Sequence, residues 1–103
     1  MQIHAETGWL DADETIAAEE LCRACRITIE ELHEMVGYGA LAPARSGEML
    51  LFTADWLMPV REAARLRRDF DLDMFAASLI AEHLHRITVL EQEIRALRAQ
   101  LPS

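Results

Sequence analysis

The chain has 103 residues, 51% of them apolar, which suits one domain with a modest core and argues against both a disordered chain and a pair of independent domains. Its net charge of −8 is unevenly spread: residues 1 to 40 hold nine acids against Arg23 and Arg26, whereas residues 41 to 103 hold nine acids against eight arginines. An N-terminal part this acidic disfavours nucleic acid and anionic lipid and steers basic protein surfaces toward itself.

In chain order, the opening MQIHAETGWLDADE is too acidic and interrupted for a signal peptide, and no apolar run approaches the length of a membrane span, so a cytoplasmic location is expected. Within residues 1–16, the stretch WLDADETI predicts a strand or small hairpin. From Ala17 the apolar positions Ala18, Leu21, Cys22 and Cys25 follow helical spacing, predicting a first helix that ends near Arg26. Cys22 and Cys25 form a C-x-x-C pair, but no further ligand residues for zinc and no preceding strand of a redox motif accompany them, so both are expected in the core.

Thr28 opens a second helix with a capping box to Glu31, and Ile27 is placed to staple onto Leu32. Ile29, Leu32 and Val36 form its inner face, and Gly37 and Gly39 are expected to end it through positive φ. Only Arg26 and Ile27 separate the two helices, which forces a steep crossing of the helix-turn-helix type. The segment LAPARSGEMLLF then reads as a small wing, with a turn at Pro43 and Ser46-Gly47 and a strand-length run from Met49 to Phe52. Thr53 is the expected cap of a third helix to about Phe70, with Trp56, Val60, Ala63, Leu66 and Phe70 facing inward. Pro59 predicts either a kink or a regular helix that starts near Met58.

Asp73 caps a fourth helix that runs to about Gln100. Ile80, Ile87, Ile94 and Leu101 recur every seven residues, with His83, Leu90 and Leu97 at the other seam position. A stripe that narrow and long predicts a homodimer through residues 73–101, beyond a head of residues 17–72. His83 and His85 lie two apart, on different helix faces, and cannot chelate one metal together. No nucleophile motif, phosphate-cradling glycine loop or convergent metal set is present, so neither an enzyme nor a bound cofactor is expected.

A helix-turn-helix, a wing, a helix ending in LRRDFDLD and a terminal coiled-coil helix together resemble the MerR-type regulators, which implies a mainly α, MerR-like head followed by a dimerisation helix. The resemblance fails at the DNA-contact set: where those regulators carry arginine and tyrosines, this chain reads EELHEMVG and GEMLLF. The runs ELCRACRITIEELHEMVGYGALAP, RLRRDFDLD and LEQEIRALRAQL are similar to the chaperone-modulator family CbpM. That resemblance implies binding to the J-domain of a DnaJ-like co-chaperone of the CbpA type, restraining its stimulation of a DnaK-type chaperone and its DNA binding. Candidate partner contacts are then the acids Glu30, Glu34, Asp69 and Asp71, with Trp56 and Phe70 as apolar alternatives. The competing reading is a MerR-type transcriptional regulator that touches DNA through its arginines as a dimer.

Overall fold

The computed structural model describes residues 14–44 and 49–102. Strand β1, Thr15–Ala17, leads directly into helix α1, Ala18–Cys25, whose apolar positions Ala18, Leu21, Cys22 and Cys25 are all buried. Arg26 closes α1 in the left-handed conformation at φ 60°, and the Ile27 amide returns to the Cys22 carbonyl at 3.1 Å. A non-glycine residue held there costs about 1–2 kcal/mol. The tightness of the turn is what brings α2, Ile29–Gly37, across α1 so abruptly.

The α2 start follows the expected capping box. Glu31 N–H donates to Thr28 Oγ1 at 3.0 Å and Thr28 N–H donates to Glu31 Oε1 at 2.8 Å, satisfying two amides that have no helical partner. Its exit differs from expectation at one glycine. Gly37 is the last helical residue, Tyr38 caps it in right-handed geometry, and only Gly39 takes positive φ, at 82°.

After the loop comes β2, Leu51–Thr53, which pairs antiparallel with β1 in the register Thr15 with Thr53 and Ala17 with Leu51. The strand of the predicted wing is therefore a partner for the segment that precedes the first helix. The turn at Ser46-Gly47 and the residues Trp9 to Asp13 of the expected N-terminal strand lie outside the described residues.

Thr53 does not cap the next helix. Its hydroxyl donates to Asp55 Oδ1 at 2.6 Å, and Ala54–Trp56 form a single 3₁₀ turn before α3, Leu57–Phe70. Pro59 sits in the first turn of α3, where its missing N–H has no helical acceptor to lose, so no kink is needed. Val60 and Ala63 face inward as expected, but Phe70 is 67% exposed, because α3 has run past the core by its last turn. Asp71 then takes the left-handed cap at φ 55°, and Asp73 accepts from Ala76 N–H at 2.8 Å to start α4, Met74–Ala99.

The core lies among α1, α2, β2, α3 and the first two turns of α4. Leu21, Leu32, Phe52 and Val60 are fully buried at its centre, with Met74, Ala77 and Ala81 supplied by α4. At 26 residues α4 is about 39 Å long, and its buried residues, Met74, Ala77, Ser78 and Ala81, all lie near its start.

Candidate interaction surfaces

The acidic face of α2 is built by its own periodicity. Leu32 and Met35 go inward, so Glu30 and Glu34, one turn apart, stay together on the outer side, and both are exposed. Among the described residues neither carries an ion pair. Glu31 is different: its Oε2 accepts from Arg67 Nη1 at 3.1 Å, tying α2 to α3, and its Oε1 serves the cap. No described residue from Thr28 to Thr53 is basic other than His33.

The second acidic cluster is less free. Arg65 bridges Glu62 and Asp69 on α3, with the Asp69 contact at 2.9 Å, which holds the Glu62 carboxyl below its ordinary range chiefly through the Arg65 hydrogen bond. Asp71 is exposed at the helix junction, and Asp73 is occupied as a cap. Of the two apolar candidates, Phe70 is exposed but Trp56 is not. Trp56 is 6% exposed, with its ring stacked on His85 at a centroid distance of 3.5 Å and 3° between planes. A surface contact through Trp56 is corrected accordingly: it is a core residue.

Two features had no local signal in the sequence. His85 Nε2 lies 3.0 Å from Asp55 Oδ1, whose side chain is almost fully buried, so the 3₁₀ turn and α4 are joined by an acid, a histidine and a tryptophan ring. Thirty positions separate Asp55 from His85, and no periodicity relates them. The other is an exposed aromatic pair, Tyr38 and Phe75, in edge-to-face contact at 5.2 Å where α2 meets the start of α4. Phe75 reaches the head through this contact yet remains half exposed.

Along α4 the seam residues Ile87, Leu90, Ile94, Leu97 and Leu101 are exposed, His83 is exposed and Ile80 is partly buried against the core. The two cysteines are free thiols within the core. Burial, with Cys22 beside it and Arg61 opposing, pushes Cys25 up to about 11, while burial and then Glu19 raise Cys22. Among the described residues no group of three metal-ligating side chains converges, and no helix is long and apolar enough to cross a membrane.

Residues 16–99 match the family described as MerR HTH family regulatory protein. The chain is also 33% identical over 88 residues to the chaperone modulatory protein CbpM of Escherichia coli O1:K1, covering 84% of this chain and 87% of that protein. The CbpM of Escherichia coli O9:H4 (strain HS) matches with the same identity and coverage.

Proposed function

Because the chain belongs to the chaperone-modulator family CbpM, on a MerR-like helix-turn-helix head, we propose that it binds the J-domain of a DnaJ-like, CbpA-type co-chaperone and limits both DnaK stimulation and co-chaperone DNA binding. The observation that carries the reading is the outer face of α2. On a head whose reader helix would face DNA phosphates, Glu30 and Glu34 are exposed without an ion pair among the described residues, and no lysine or arginine lies on the helix. DNA affinity rests largely on neutralised phosphates, so such a face is repelled by a duplex and attracted by the basic docking helix of a J-domain. The unpartnered seam of α4 supports a homodimer, which would present two such faces.

The test is the J-domain affinity of Glu30→Lys with Glu34→Lys, set against Asp69→Lys with Asp71→Lys, at low salt. Exposed charge pairs contribute less than about 1 kcal/mol each, so the α2 double reversal is expected to weaken binding by about tenfold. The Asp69 and Asp71 reversal is expected to do less, since Asp69 is already held by Arg65. Loss should lie mainly in the association rate and should shrink as salt rises. If no reversal changes J-domain binding, while the wild type binds a duplex at nanomolar concentration, the chain is a MerR-type transcriptional regulator instead.

A further inference from the structure

Behind the helix-turn-helix turn, where α2, α3 and α4 meet, is a cavity of about 170 Å³. Its floor is apolar, with Met35, Val60 and Met74 all buried, and its charged lining is Arg26, Arg67, Arg68 and Glu31. Three guanidiniums against one carboxylate leave the lining at +2, on a chain whose total is −8. Glu31 does not neutralise the excess further, because Oε1 already accepts from Thr28 N–H and Oε2 from Arg67 Nη1.

Two independent features mark this lining as made for an anion. The Nε–H of Arg67 is buried and has no acceptor among the described residues, a condition that costs stability unless a ligand or water relieves it. Arg26 occupies the left-handed cap of α1 at φ 60°, where glycine would sit without strain, so the fold tolerates a disfavoured backbone at a position whose side chain lines the cavity. Among the described residues neither Arg26 nor Arg68 has an ion-pair partner. The outer side of α3 contrasts with this, since there Glu62 and Asp69 already hold Arg65.

We infer that the cavity framed by Arg26, Arg67 and Arg68 is a receptor for a carboxylate carried on an apolar stem. The stem lies against Ile27, Ala64 and Met74, the apolar lining residues that keep accessible surface, and the carboxylate is bound by the arginines at the mouth, in the charge-assisted geometry that guanidinium groups favour. Its volume is close to the roughly 150 Å³ of an apolar cavity that accepts benzene, so one ring or one branched side chain fills it. A duplex phosphate backbone does not suit an apolar-floored recess of this size. The two sources of such a group are an acidic side chain of a partner protein and a free carboxylic acid. This inference does not rest on J-domain binding and fails or stands separately from it.

The experiment is a titration of the isotopically labelled full chain, followed through its backbone amides, with four probes: benzoate, benzamide, acetyl-Leu-Glu-Leu-amide and acetyl-Leu-Gln-Leu-amide. The two carboxylates are expected to shift Arg26, Ile27, Met35, Arg67 and Arg68 to saturation, and the two neutral analogues to leave them in place. Whichever carboxylate binds more tightly identifies the source, free acid or partner side chain. Arg26→Gly is expected to lower that affinity about tenfold while leaving Tm unchanged or higher, because it removes a charged donor and relieves backbone strain together. Arg68→Gln, at an exposed position on α3, is expected to lower it as well. Neutral analogues that bind equally, shifts spread over α4 arginines such as Arg86 and Arg98, or full affinity in both variants would overturn the inference.

Discussion

The head and the distal half of α4 solve the same problem in opposite ways. The main apolar stripes of the head find their cover within the chain: α1 buries Leu21 and Cys25, α2 buries Leu32 and Met35, and α4 contributes Met74, Ala77 and Ala81 before it leaves the core. Past Thr88 the same helix keeps an apolar period, and in the described structure Leu90, Ile94, Leu97 and Leu101 all stand about half exposed or more. A helix of two chemically similar halves therefore has two fates, decided by whether the head reaches it. The first half is stabilised by folding, and the second would gain its cover by association, the homodimer proposed above.

Two variants separate these fates. Phe52→Ala empties the centre of the head, where the ring is fully buried, and is expected to cost about 3–5 kcal/mol, seen as a steep fall in Tm. Ile87→Asp with Ile94→Asp places charges on the seam and leaves the head's contacts alone. It is expected to halve the mass measured by light scattering at micromolar concentration, with the head's melting transition retained. A mass that stays that of a dimer would show that the seam is not where two chains meet.

The junction between the regions offers a finer test. Asp55 receives the Thr53 hydroxyl and lies beside His85 Nε2, while the imidazole stacks on Trp56, so one nearly buried carboxylate links the wing, the 3₁₀ turn and α4. Asp55→Ala leaves a hydroxyl and a ring nitrogen without that partner and is expected to cost about 1–3 kcal/mol. Amide exchange along α4 from Ala81 to Thr88 should quicken more than exchange in α1. Equal protection in wild type and variant would mean that the ring stack alone holds the helix down.

How much of this was legible follows from the reach of each signal. The boundaries of α1, α2 and α4 were readable because a capping box at Thr28 and Glu31, a cap at Asp73 and a two-residue turn act within four positions of themselves. Thr53 misled because the same hydroxyl that caps a helix also bonds an aspartate two residues on, and Asp55 won. Phe70 continued the inward period of α3 on paper, but a period cannot say where the core ends. The acidic α2 face was visible as charge. The cavity behind Arg26 was not, since it needs residues from the turn, α3 and α4 side by side.

The smallest effect concerns a buried thiol of the head that titrates at alkaline pH. Cys25 is at the head's centre, its thiol donating to the Leu57 carbonyl at 3.6 Å, and burial moves it from 9.0 to about 11. Between those values the unfolded chain has lost the proton and the folded head has kept it, so the unfolded state is favoured as pH rises. The contribution is complete below pH 9 and is lost toward pH 11, which amounts to about 1 kcal/mol at pH 10. Cys25→Ala is expected to flatten that slope in thermal melts from pH 8 to 10.5, whatever it does to stability at neutral pH. The distal seam carries no cysteine, so dimer mass should stay level over the same range. A slope unchanged by Cys25→Ala would place the titrating group elsewhere, with Cys22, also raised by burial, the next to replace.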